Sequence, residues 1–287
     1  MALNKQSGNM YGFVTHTWNA IKGQCSHNCS YCYMKRFPQN PIRLDEKEFK
    51  TDLGKGNFIF VGSSTDMFAD DVPSEWIKKV LDYCKNYMNT YLFQTKNPKR
   101  FKEFKNHFPL HCIFGITLET NREDNLFNCP PRSSRVGWME EKWLDRKMVT
   151  IEPIMDFDVE YLSDWIERIN PEFVNIGADS NRKKNYSIPE PTEFKIQNLI
   201  KKLELFTKIN LKPNLARLYS SGCLKTKSSL EDFPKGEHNI SLKDNSNELS
   251  QISSNDETSL NNNIMWRCPN FIFYSKSLEQ LNNRRLI

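Results

Sequence analysis

Short apolar runs recur along the first two-thirds of the chain, at residues 12–18, 58–62, 90–94, 112–118, 148–154, 173–176 and 209–211. Runs of this length, bounded by polar turns, read as buried strands. Amphipathic stretches alternate with them. Residues 75–88 place Trp76, Ile77, Val80, Leu81, Cys84 and Met88 on one helical face, and 159–169 do the same with Leu162, Trp165, Ile166 and Ile169. A third stretch, 192–206, turns Ile196, Leu199, Ile200 and Leu203 inward after Pro189 and Pro191 mark its start. Strand–helix alternation predicts βαβ units, hence an α/β fold with a parallel sheet closing into an open or complete barrel.

The pattern stops near residue 223. From there to 263 the chain is rich in Ser, Asn, Asp, Glu and Lys without a period, which reads as a flexible polar insertion or linker. The stretch 264–274 turns apolar again, and 264–287 reads as a segment docking on the barrel, which itself occupies 1–222.

Composition narrows the class only modestly. With 287 residues and 38% hydrophobic content the chain can bury one substantial core. Its 40 basic and 35 acidic residues leave +5, which permits an anionic substrate without demanding one. No run of about 18 apolar residues occurs and the N-terminus lacks a signal-peptide core. The expectation is a soluble cytoplasmic protein with no membrane partner, whose Cys residues stay reduced.

In that setting the stretch Cys25-Ser-His-Asn-Cys29-Ser-Tyr31-Cys32 carries the chemistry. Thiols packed this tightly cannot bridge one another without strain, so they read as ligands of a metal or cluster. Iron–sulfur clusters are usually held by four thiolates, and three leave one iron open to another ligand. Two alternatives use the same residues. Cys25, Cys29, Cys32 and His27 could form a structural zinc site, stabilising a nucleic-acid-binding module that uses the basic run Lys96–Arg100. A ferredoxin-like electron carrier is the other.

The spacing C-x-x-x-C-x-Tyr-C after a first strand resembles the signature of the radical S-adenosylmethionine (radical SAM) superfamily. That resemblance implies a partial (βα)6-type barrel and a 4Fe-4S cluster on Cys25, Cys29 and Cys32, with S-adenosylmethionine bound to the open iron. It implies an external electron donor of the flavodoxin or ferredoxin type. Hydrogen is then abstracted from a substrate that the sequence leaves unknown, with a nucleotide or nucleic acid among the candidates. By the same resemblance Tyr31 packs against the cluster or the adenine. Ser63, Ser64 and Asp66 stand where the superfamily has a Gly-Gly-Glu-like stretch for the cofactor's amino group, although Ser replaces the second Gly and no Glu follows. Thr117 and Glu119 would contact the ribose or the methionine carboxylate, and Gly177 would admit the adenine edge. Across Trp18-Asn19, 62–68, 95–100, 115–121, Glu152-Pro153 and 177–181 the chain also resembles a phage-associated radical SAM group without an assigned substrate. The resemblance spans roughly 10–220.

The polar residues that end the strands supply the remaining candidates, since a βα barrel works at the C-terminal ends of its strands. Lys96, Glu152, Asp179, Lys212 and Arg217 are expected to hold the substrate. Lys96, Lys99, Arg100, Arg132 and Arg135 read together as a solvated rim, with an anion site as the alternative. His27 reads as a solvated loop residue or a donor to a sulfur. Cys84 and Cys112 read as core residues, and Cys129, Cys223 and Cys268 as plain thiols rather than auxiliary-cluster ligands.

Overall fold

The computed structural model describes residues 3–6, 10–38, 40–123, 128–180 and 188–219. The chain divides into one unit over Met1–His238 and another over Asn239–Ile287, and the fold below belongs to the first. The polar stretch 223–263, the segment 264–287, Cys223 and Cys268 lie outside the described residues.

In chain order the strands are β1 (Asn4–Lys5), β2 (His16–Trp18), β3 (Ile21–Lys22), β4 (Arg43–Leu44), β5 (Phe58–Val61), β6 (Thr90–Thr95), β7 (Cys112–Thr117), β8 (Lys147–Ile151), β9 (Phe173–Ile176) and β10 (Lys208–Leu211). Eight of them form one sheet in the order β1-β2-β5-β6-β7-β8-β9-β10, while β3 and β4 pair separately. Every neighbour pair from β2 to β10 is parallel, and only β1 runs antiparallel. Among the described residues four α-helices pack on this sheet: α1 (Ser74–Lys85), α2 (Arg132–Met139), α3 (Val159–Ile169) and α4 (Glu193–Leu203).

The sheet curls strongly. Phe13 places its ring 5.0 Å from Phe58 on β5 and 5.0 Å from Phe173 on β9. Three strands lie between those two, and in a flat sheet they would stand about 19 Å apart. Curling without closure gives a partial barrel, as the alternation of strands and helices predicted.

Side chains on the inner face change character along each strand. Tyr11, Phe60, Leu92, Ile113, Met148 and Phe173 form an apolar plug. Two residues further on, with the strand period of two keeping the same face, stand Gln94, Thr150 and Asn175. Beyond them come Thr117, Glu152 and Gly177. Helices cover the outer face, where α1 buries Ile77, Val80, Leu81 and Cys84. The lumen is therefore shut at one end and polar at the other, which places any chemistry at the strands' C-terminal ends.

Candidate active site at the C-terminal strand ends

The thiol loop follows β3 and is tied down by a buried imidazole. Asn28 takes a left-handed conformation, φ 45°, as the chain turns between Cys25 and Cys29. His27 is 3% exposed; its Nε2 lies 2.9 Å from Asp66 Oδ2 and its Nδ1 3.1 Å from the Asn128 carbonyl. This corrects the reading of His27 as a solvated residue. Asp66 Oδ2 also accepts from Thr95 Oγ1 at 2.9 Å and the Lys96 amide at 2.8 Å, and Oδ1 accepts from the Phe68 amide at 3.0 Å. Burial raises the Asp66 pKa, but His27, the Lys96 amide and the Thr95 hydroxyl together outweigh it and hold the carboxyl below its ordinary range. Asp66 thus fastens the thiol loop to the ends of β5 and β6. Ser63 and Ser64 brace the same region, their Oγ and amide donating to Asn19 Oδ1 at 3.2 and 3.1 Å. Ser64 also lines a cleft of about 230 Å³ with Asn19, Gly23 and Met34.

A second anchor starts at Tyr31, whose hydroxyl donates to Glu119 Oε1. Glu119 is fully buried. Its Oε2 accepts from Arg132 Nε at 3.0 Å and Arg135 Nη1 at 3.2 Å, and Lys96 Nζ stands 3.7 Å from Oε1. Burial pushes this carboxyl up, yet Arg135, Lys96 and Arg132 together bring it from 4.5 to about 2. Lys96 also faces the loop: burial works against its charge, but Cys29 and Glu119 hold its pKa above the ordinary value. Arg135 Nη2 donates to Cys129 Sγ at 2.7 Å. Arg132 and Arg135 are each 1% exposed and Arg100 is 6% exposed. Arg100 Nη1 donates to the Ala69 and Val72 carbonyls at 2.6 and 2.9 Å. The solvated-rim reading therefore fails for these residues, because each cation is bound into the interior by oxygen acceptors. Lys99 alone in the run Lys96–Arg100 is exposed, so the run forms no basic surface stripe.

Three cations thus surround one carboxylate beside Cys29, and the surplus positive charge is of the sign that favours a thiolate there. Burial raises the Cys29 thiol, with Lys96 pulling the other way, and pushes Cys25 up to about 12. Among the described residues no three His, Cys, Asp or Glu side chains converge on a point that would hold a single ion. Cys84 and Cys112 are buried against the sheet's outer face.

The third group fills the lumen. Glu152 Oε2 accepts from Lys212 Nζ at 2.6 Å and Oε1 from Asn214 Nδ2 at 2.9 Å. Lys212 Nζ lies 4.9 Å from the Tyr11 ring centroid. The Tyr11 hydroxyl bonds to Gln94 Oε1 and Thr150 Oγ1, both at 2.8 Å, and Gln94 Nε2 donates to Thr117 Oγ1 at 3.0 Å. Thr117 therefore belongs to the lumen's polar layer. A side chain on Gly177 would strike the Glu152 carboxylate at 2.9 Å, so the space over this glycine holds that carboxylate. Asp179 is 6% exposed, and its carbonyl accepts from Arg217 Nη2 at 3.1 Å. Arg217 pairs with Glu190 through both terminal nitrogens. Gln94 stands among the polar strand ends expected to work, whereas sequence reasoning missed Tyr11 and Thr150, which only the curl of the sheet brings to Glu152 and Lys212.

A family model described as "Protein of unknown function (DUF5131)" matches residues 10–166, more than half of the chain. The chain belongs to that family. The match runs from the inner plug through the thiol loop to α3, so it covers both anchors of the loop. No curated protein matches. Among solved structures, a spore photoproduct lyase mutant with bound AdoMet and dinucleoside spore photoproduct aligns with TM-score 0.53 and 9% identity, covering 72% of this chain and 80% of that one. Another mutant of that lyase with the dinucleoside spore photoproduct gives 0.53 and 10% identity, covering 73% and 81%. At such identity the likeness is one of fold.

Proposed function

We propose that this protein is a radical SAM enzyme, with Cys25, Cys29 and Cys32 holding a 4Fe-4S cluster and S-adenosylmethionine completing it. The observation that carries the reading is the thiol loop itself, pinned by His27–Asp66 and Tyr31–Glu119 at the polar mouth of a partial barrel. The donor set fits a thiolate-bound cluster, because Lys96 places positive charge beside Cys29. It does not fit a Cys3His zinc site. Such a site needs an imidazole nitrogen at about 2.0–2.1 Å from the metal, and both nitrogens of His27 are engaged by Asp66 and Asn128.

A cluster held by Cys25, Cys29 and Cys32 would supply one-electron reduction of the cofactor's sulfonium, fed by an external flavodoxin- or ferredoxin-type donor, and with it hydrogen abstraction from the substrate. The protein's own part is placement and exclusion of water. Asp66 and Glu119 fix the height and tilt of the loop. The apolar plug of Phe60, Leu92, Ile113 and Met148 closes the floor of the lumen. Glu152 and Lys212 present one acceptor and one donor group to whatever enters from the mouth. Ser63 and Ser64 are assigned to the cofactor side, Thr117 and Gly177 to the lumen beside Gln94 and Glu152, and Asp179 and Arg217 to the outer rim by the β9 end.

A nucleic-acid-related substrate is supported by the fold neighbours, three of which hold a dinucleoside spore photoproduct. The likeness to a phage-associated group is part of the same reading. Anaerobic reconstitution tests the proposal: about four irons per chain and reductant-dependent 5′-deoxyadenosine are expected, with Cys29→Ala abolishing both. Iron-free protein carrying tightly bound zinc would overturn it.

A further inference from the structure

The chain's net charge is concentrated in the segment that carries the thiol loop. Residues 1–44 hold five basic side chains, Lys5, Lys22, Lys35, Arg36 and Arg43, and no Asp or Glu. The rest of the chain is balanced, 35 basic against 35 acidic, so the whole excess of +5 lies in those 44 residues. Lys22 is taken up by Asp45 at 2.8 Å and Glu48 at 2.6 Å. Lys35 and Arg36 are exposed and bond to backbone, Lys35 Nζ to the Asn28 carbonyl at 3.2 Å and Arg36 Nε to the Tyr33 carbonyl at 3.1 Å. Arg43, on β4, is exposed as well. A local excess of one sign on an otherwise balanced chain marks where an anionic partner is drawn in.

Two aromatic rings stand in the same stretch. Tyr33 opens the short 3-10 turn Tyr33–Arg36 that follows Cys32, and Phe37 caps it. They are 45% and 51% exposed. Rings left in water among cations are the pattern on which unpaired bases stack. The turn is fixed at the mouth of the barrel, because the Tyr33 hydroxyl donates to the Ser63 carbonyl at 3.0 Å, just past β5. Burial and Glu152 raise the pKa of Tyr11 in the lumen, and Tyr33 adds to that rise. Tyr33 therefore stands within electrostatic reach of the lumen's polar layer. Met34, Pro38 and Arg43 line the adjoining cleft of about 230 Å³, which gives the turn an open flank.

We infer that Tyr33 and Phe37, with Lys35, Arg36 and Arg43, form a platform for single-stranded nucleic acid, stacking the bases that flank the one admitted to the lumen. The substrate is then a nucleotide within a strand, not a free nucleotide. The inference rests on the proposed function only for the admitted base. An acidic electron-carrier protein would also be drawn to the cations. A carrier reaches the cluster ligands from outside, however, and has no use for a ring at the lumen's mouth.

Fluorescence anisotropy of a labelled single strand of about 12 nucleotides, as DNA and as RNA, tests this on the anaerobically reconstituted full chain, with and without excess S-adenosylmethionine. Binding of at least one strand is expected, about tenfold or more tighter than a dinucleoside monophosphate used as competitor, and falling steeply with salt. Tyr33→Ala and Phe37→Ala should each weaken it about tenfold, with Phe37→Trp retaining it. Lys35→Gln together with Arg36→Gln should reduce the slope of log affinity against log salt by about 1.4. No binding of either strand, no preference over the dinucleoside, displacement by S-adenosylmethionine, or affinity unchanged in both alanine variants would overturn the platform. Slower reduction by a flavodoxin-type donor in those variants, with strand binding intact, would overturn it in favour of the electron carrier. Strand preference and salt dependence are read on the unaltered protein, so a misfolded variant cannot mask the result. Substrate-free 5′-deoxyadenosine formation by the unaltered protein, measured in parallel, reports on the radical reading alone.

Discussion

Gly177 lies so close under Glu152 that a methyl group added there would come within 2.9 Å of Glu152 Oε1. The missing side chain is what lets the carboxylate reach both Lys212 and Asn214. Gly177→Ala must displace that carboxylate, an overpacking effect of about 1–3 kcal/mol. Thermal melts should show a modest loss of stability. The larger effect is expected on turnover with substrate, while substrate-free cofactor cleavage continues. Cleavage lost together with turnover would place Gly177 on the cofactor side only.

The Glu152–Lys212 pair predicts a non-additive outcome. Glu152→Gln keeps the shape but leaves the Lys212 ammonium half-buried without its anion, and Lys212→Met leaves the carboxylate likewise. Each single change should lower substrate turnover by about a hundredfold or more, the scale of a misplaced reacting group. The double variant should be no worse than either single one. Steady-state rates with iron content held equal check this.

Acid should weaken the protein through Glu119 and Asp66. Both carboxyls sit below their ordinary values when folded, Glu119 at about 2 against 4.5. Their contribution is therefore complete above the unfolded pKa and is lost as pH falls through the folded one. For Glu119 that window runs from about 4.5 down to about 2, and the shift corresponds to roughly 3 kcal/mol. Urea unfolding of the cluster-free protein should show a fall in stability between pH 5 and pH 3, expected from these values. Glu119→Gln should flatten that fall while lowering stability at pH 7, since Arg132 and Arg135 lose their anion. An unchanged pH profile in the variant would show that Glu119 is not the group responsible.

Most of the frame was legible because parallel strands buried on both faces are continuous apolar runs. Phe173–Ile176 and Val159–Ile169 appear with the bounds expected. The helix α2 was not legible, since two of its buried positions are Arg132 and Arg135, which interrupt the apolar period. Pro130-Pro131 just before it was the available signal. The 3-10 segment Pro98–His107 was hidden for the same reason: its basic residues outnumber the buried Phe101 and Phe104. For the site, the thiol loop and the polar strand ends could be read locally. The bonds from His27 to Asp66 and from Tyr11 to Thr150 could not, because they join residues 39 and 139 positions apart. Their partners are fixed by the curl of the sheet.

Cys84 and Cys112 separate structural thiols from ligands. Both are buried in the barrel–helix core, so Ala at either position should cost about 1–2 kcal/mol by cavity formation and leave iron content unchanged. Loss of iron in either variant would place a core thiol near the cluster.

The central claim, a cluster with one open iron, is tested most directly by electron paramagnetic resonance of the reduced, reconstituted protein with and without S-adenosylmethionine. The account predicts a reduced 4Fe-4S signal that changes when the cofactor is added, and no such signal in Cys29→Ala. A signal unaffected by the cofactor would mean a cluster fully ligated by protein, and would contradict it.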